Sequence, residues 1–166
     1  MSDPSPALRE TADGVVRAGK SRGHSLATVE SCTAGALARL LAGGEGASDV
    51  FQGGFVVYTK AAKSAVVGVP GSLIERHTAV SREVALAMAR GGLERIPADV
   101  VVAITGVAGP DSDEDCNPVG LVHIAAVSRN GRERHVERRF GRKSKDEILQ
   151  SSMRDGLTLL AELVAA

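Results

Sequence analysis

The stretch Asp99-Val-Val-Val-Ala-Ile-Thr105 places five apolar residues in succession between two polar ones. Strand side chains alternate between faces, so such a run is apolar on both and must be covered on both. A sheet built around it needs helices above and below, and the flanking sequence supplies them. Pro4 and Pro6 open a helical stretch to about Arg22, with Leu8, Ala12, Val15, Val16 and Ala18 at helical spacing. Ser25 to Glu30 reads as a short strand. Ser31-Cys32-Thr33 follows at once, then a helix carrying Leu37, Leu40 and Leu41 that ends at the glycines around Gly43. Gly54 to Thr59 is strand-like, Lys60 to Val67 helical, and Ser72 to His77 a short helix. Ser81 is a plausible N-cap for a helix to about Glu94. Val119 to Val127 is a further strand, and Asn130-Gly131 turns it into a return through His135 to Phe140. Ser144-Lys-Asp-Glu147 fits a capping box for the last helix, ending near Val164. Early alternation and a late hairpin predict a single three-layer α/β/α domain with a mixed β-sheet over residues 1–166. Its core runs from about residue 7 to 164.

Composition narrows the function classes. With 166 residues and 43% hydrophobic content the chain can bury one real core. Twenty Lys and Arg balance twenty Asp and Glu. The densest basic stretch, Arg132 to Lys145, is interrupted by Glu133, His135 and Glu137 and reads as a solvated face. Phe51, Phe55, Tyr58 and Phe140 are the whole aromatic inventory, too few for a base-stacking platform. No nucleic-acid partner is expected. No apolar run approaches the ~20 residues that span a bilayer, so no membrane partner is expected either. Cys32 and Cys116 do not make a disulfide scaffold, and the first residues lack a signal-peptide pattern; a cytoplasmic address follows.

Two strands end in turns of small and polar residues, Glu30-Ser31-Cys32-Thr33-Ala34-Gly35 and Thr105-Gly106-Val107-Ala108-Gly109-Pro110. Turn amides can hold an anion or an oxyanion, and ligands of open α/β sheets gather at the carboxyl ends of strands. Thr33 capping its helix and Gly106 turning the chain are the plain structural alternatives, and spacing leaves both open. Phosphate-loop, dinucleotide and hydrolase-elbow motifs do not occur. His24, His77, His123 and His135 lack zinc-site spacing. Asp111-Ser-Asp113-Glu-Asp115 fails as a calcium loop at Cys116 and Val122. No metal and no cofactor are expected. A serine can instead be activated by a lysine whose pKa burial has lowered. Lys60 and Lys63, about one turn apart after Tyr58, are candidates for that base or a pair of solvated surface lysines. Cys32 is the rival nucleophile, or a small packing residue.

Four motifs in order carry a resemblance. Glu-Ser-Cys-Thr-Ala-Gly at 30–35, Gly54-Phe-Val-Val-Tyr58-Thr-Lys-Ala-Ala-Lys63, Thr78-Ala-Val-Ser81, and Ala103-Ile-Thr105-Gly-Val-Ala-Gly109-Pro110 with Pro118-Val-Gly120 are similar to motifs of the CinA carboxy-terminal domain family. Its enzymatic members are nicotinamide-nucleotide amidases, and the likeness covers nearly the whole chain in a stand-alone form. The resemblance implies hydrolysis of the carboxamide of nicotinamide mononucleotide to nicotinic acid mononucleotide and ammonia. It implies Ser31 as nucleophile and Lys63 as proton acceptor, with Tyr58 and Thr105 hydrogen-bonding the reacting groups. Glu30, Thr33, Ala34, Gly35, Gly106, Ala108, Gly109 and Lys145 would bind a small-molecule pyridine mononucleotide, and a homo-oligomer is expected.

The chain departs from the family's pattern in two places. Where members often carry glycines and a lysine, it has Asp111-Ser-Asp-Glu-Asp-Cys-Asn117, with four carboxylates that would repel a phosphate if they faced the pocket. Two arginine positions of the last helix are Lys145 and Leu149; lysine keeps the charge but not the bidentate fork. The rival functions are a catalytically weak nucleotide-binding protein on the same scaffold and an amidase for another small amide.

Overall fold

The structure, a computed structural model, describes residues 3–166. Five strands, β1 (Leu26–Glu30), β2 (Phe51–Val56), β3 (Val100–Gly106), β4 (Leu121–Ser128) and β5 (Glu133–Arg139), form one sheet in the order β2-β1-β3-β4-β5. The first three run parallel, and β4 and β5 join antiparallel. Helices α1 (Pro6–Arg22), α2 (Ala36–Ala42), α3 (Ala47–Val50) and α7 (Lys145–Ala165) cover one face. Helices α4 (Lys60–Val67), α5 (Gly71–His77) and α6 (Arg82–Arg95) cover the other. The apolar run at the centre splits as its alternation requires. Val100, Val102 and Ile104 pack under α2 and α7, while Val101 and Ala103 pack under α6. The single three-layer domain with a mixed sheet is therefore present as expected.

Two strand boundaries differ from the sequence expectation for local reasons, and one short helix was not expected. Strand β2 lies earlier, at Phe51–Val56, because its partner β1 stops at Glu30, whose carbonyl takes the Val57 amide as the last rung and leaves Tyr58 and Thr59 no β1 residue to pair with. The four-residue helix α3 forms directly after the glycine turn. Strand β4 begins at Leu121, since Gly120 has a positive φ of 88° that takes it out of extended backbone. No helix among the described residues is long and apolar enough to cross a membrane.

Thr59 caps α4 by accepting the Ala62 amide, which fixes where that helix begins and hence where Lys63 stands. Its far end is set by α6: a Cβ on Gly91 would collide with the Val67 carbonyl, so only glycine allows this approach. Gly91→Val should cost about 1–3 kcal/mol through overpacking, read as a lower denaturation midpoint. An unchanged midpoint would show that α4 is not held by this contact.

Candidate active site

Thr28 and Glu30, two residues apart on β1, share the face that looks toward α2; their side chains are hydrogen-bonded at 3.1 Å. Glu30 is fully buried, and its carboxylate accepts the amides of Gly35 (3.0 Å), Leu37 (3.1 Å) and Ala38 (2.7 Å). It thus fills the N-terminus of α2, where unpaired amides and the helix dipole favour an anion. The next residue, Ser31, looks the other way. Its amide donates to the Ile104 carbonyl at 2.9 Å, and the Val57 amide donates to the Glu30 carbonyl at 2.8 Å. Ser31 is held between the ends of β2 and β3. The helices that follow β1 and β2 lie on opposite faces of the sheet, and the crevice between such strands is where ligands of open α/β sheets bind.

Lys63 enters that crevice from the first turn of α4. A helical side chain leans toward its own N-terminus, so the lysine reaches back to the end of β2. Its Nζ lies 2.9 Å from Ser31 Oγ, 3.0 Å from the Val57 carbonyl and 3.4 Å from the Tyr58 carbonyl. Lys63 is 2% exposed and Ser31 6%. The carboxylates of Asp115 and Glu114 pair instead with Lys60, at 2.7 and 3.1 Å. Burial without a counter-ion lowers the Lys63 pKa from 10.5 to about 8. As a neutral amine it would give its two N–H groups to the two carbonyls and leave its lone pair for the Ser31 hydroxyl. Half-buried Cys32 moves the other way: desolvation and the Glu30 carboxylate push its thiol up to about 12. It stays protonated at neutral pH and is a poor nucleophile.

The remaining predicted residues separate into groups. Tyr58 brings its backbone carbonyl to Ser31 and Lys63, while its side chain is 65% exposed at the cleft. Thr105 is buried and donates to the Ala79 carbonyl at 2.8 Å, tying the end of β3 to the turn before α6. Thr33 is buried with its hydroxyl unpartnered among the described residues. The Ala34 amide donates to the Ser31 carbonyl and that of Gly35 to Glu30, so neither is left for a ligand; the amides of Cys32 and Thr33 have no backbone partner among the described residues. Gly106 is glycine because a Cβ there would lie 2.7 Å from Val122 and 2.9 Å from the Leu121 carbonyl. Ala108, Gly109 and Lys145 line the cleft, a cavity of about 680 Å³ that also includes Lys63, Thr105 and Gly106.

Sequence reasoning missed the contact between Lys60 and the acidic loop. Lys60 was a candidate base or a solvated lysine, and it is the anchor of residues 113–117. Asp115 also accepts the Ala79 amide at 3.4 Å, and Asn117 donates to Thr78 Oγ1 at 3.1 Å. Nothing in local spacing signals a bond across 55 residues. The Val57 and Tyr58 carbonyls were equally invisible, since backbone acceptors leave no residue-type signature.

The Glu30 network yields a stability prediction. Glu30→Ala strands three amides and should destabilise by on the order of 3 kcal/mol, with Glu30→Gln in between. Chemical denaturation measures it, and a neutral Glu30→Ala would contradict the capping role.

Comparison with known proteins places the chain. The family description "CinA C-terminal domain" matches residues 8–164. A CinA-like protein of Synechococcus sp. is 45% identical over 142 residues, covering 85% of this chain and 34% of that protein. One from Mycolicibacterium vanbaalenii is 50% identical over 109 residues, 66% of this chain and 26% of that protein. The chain thus spans about a third or less of the curated relatives it matches. Among solved structures, the competence/damage inducible protein CihA of Agrobacterium tumefaciens superposes with a TM-score of 0.93 at 38% identity, each chain fully covered. A competence-damaged protein (CinA) superfamily member of Escherichia coli gives 0.89 at 32% identity, covering 98% of this chain and 94% of that one. On sequence and fold together, the chain belongs to the CinA C-terminal domain family.

Proposed function

We propose that the protein is an amidohydrolase that converts nicotinamide mononucleotide to nicotinic acid mononucleotide and ammonia through Ser31 and Lys63. The observation that carries this reading is a buried lysine, without a carboxylate partner, 2.9 Å from a serine hydroxyl at the mouth of the sheet crevice. Neutral Lys63 accepts the Ser31 proton as Oγ attacks the carboxamide carbon. The negative charge that develops on the amide oxygen meets the amides of Cys32 and Thr33, which have no backbone partner among the described residues. When the tetrahedral adduct collapses, the C–N bond breaks and the Lys63 ammonium returns its proton to the leaving nitrogen. Water then attacks the resulting ester, again with Lys63 as base, and frees the carboxylate and Ser31.

Each residue of this scheme has an expected phenotype in an ammonia-release assay with nicotinamide mononucleotide. Ser31→Ala should lower kcat by about a thousandfold or more, and Lys63→Met should match it. Cys32→Ala should cost under about tenfold, because a thiol protonated to about 12 is a packing group. Turnover that survives Ser31→Ala and vanishes in Cys32→Ala would reverse the assignment of nucleophile. Absence of ammonia release from the wild-type protein would refute the activity itself.

The pH profile follows from the same lysine. The active form is the neutral amine, and with a pKa of about 8 only about a tenth of the molecules hold it at pH 7. The rate kcat/KM should therefore rise about tenfold per pH unit below 7 and level off above 8. A profile flat from pH 6 to 9 would exclude Lys63 as the base.

A further inference from the structure

Lys60 and Lys63 stand about one turn apart on α4, and both line the cleft above Ser31. Their surroundings differ in one respect. The Lys63 amine meets a hydroxyl and two carbonyls. Lys60 instead holds two carboxylates of the 111–117 loop, Asp115 at 2.7 Å and Glu114 at 3.1 Å. Lys60 and Asp115 fix each other's charge: their hydrogen bond pushes the lysine pKa up and holds the carboxyl below its usual range. Lys60 therefore stays cationic where Lys63 titrates. The other charges around Lys63 are engaged or sit elsewhere. Asp113 accepts the Asp115 and Asn117 amides at 3.1 and 2.8 Å. Glu30 is turned to the α2 amides, and the neighbouring Cys32 thiol is protonated. On the helices packed against α4, His77 faces Glu83 at 3.7 Å and Arg95 lies beside Gly68, at the far end. Asp111 and Lys145 border the cleft together, and the Tyr58 phenol is exposed.

We infer that Lys60 is a positioning residue of the site: it holds Glu114 and Asp115 to itself and so denies Lys63 the counter-ion that would keep it protonated. The inference rests on the proposed amidase reading and names what preserves its base. A loop with four carboxylates beside a buried lysine is otherwise a hazard, because an opposite charge within about 4–6 Å favours the charged amine. Lys60 reaches Asp115 across 55 residues from the stretch of α4 that also carries Lys63. A cation on this part of the helix can therefore find the loop's acids, and Lys60 is the one that does. Its own positive charge, one turn from Lys63, acts in the same direction by disfavouring a second ammonium.

The test follows the Lys63 Nζ titration by NMR, and kcat/KM for ammonia release against pH, in four variants. Lys60→Met leaves two carboxylates unopposed and should raise the Lys63 midpoint by about half a unit. At pH 7 kcat/KM then falls about threefold, while the plateau at high pH is kept. Glu114→Gln with Asp115→Asn leaves Lys60 unopposed and should lower the midpoint by a similar amount. All three changes together should return it to near 8, and Lys60→Arg should hold it there. A loop that had merely come loose would move the first two variants the same way and lower the plateau. A Lys63 midpoint that is unchanged or lower in Lys60→Met, or that moves in one direction in both, would overturn the inference. The titration needs no substrate. Opposite shifts in a protein that releases no ammonia would sink the amidase reading and leave the role of Lys60 standing. Ammonia release with a Lys63 midpoint indifferent to Lys60 would do the reverse.

Discussion

A lysine enclosed with no counter-ion is the constraint around which this molecule is arranged. The gap between 10.5 and about 8 means that holding Lys63 protonated costs on the order of 3 kcal/mol. That is a large fraction of the 5–15 kcal/mol by which domains are stable. Several independent devices keep the side chain there. Thr59 fixes the first turn of α4, Gly91 lets α6 clamp its last turn, and the early end of β2 frees two carbonyls to receive the amine. Local choices that disfavour stability, surrounded by structure that enforces them, are the physical signature of a site.

The alternation of β1 explains how one short segment serves two purposes. Glu30 and Ser31 are adjacent in sequence but face opposite layers, one satisfying α2 and the other meeting α4. Because Glu30 supplies the negative charge that the α2 N-terminus favours, that terminus is closed to an external anion. On the other side of the sheet, Lys60 ties the acidic loop down against the wall of the cleft through Glu114 and Asp115.

Much of this was legible in the sequence where a local rule decides the outcome. The apolar run at 100–104 demanded two covering layers, and the Ser144–Glu147 capping box fixed the start of α7. Ser31 and Lys63 were visible as candidates by motif, and the structure brings them together. What escaped depends on tertiary contacts. Glu30 was expected among ligand-binding residues and is buried as a helix cap, since its role is set by where α2 folds back. The Thr105 hydroxyl serves Ala79, 26 residues away, and Lys60 serves a loop whose position no short-range pattern encodes.

The ionisation of Lys63 can be read directly, apart from any substrate. Lysine-selective carbon–nitrogen NMR, with Lys63→Met to assign the Nζ resonance, follows its titration in the intact protein. The account predicts a midpoint near 8, well below the value of about 10.4 for a lysine free in water. A Lys63 midpoint among those of the other lysines would contradict the claim that burial prepares this side chain as a base.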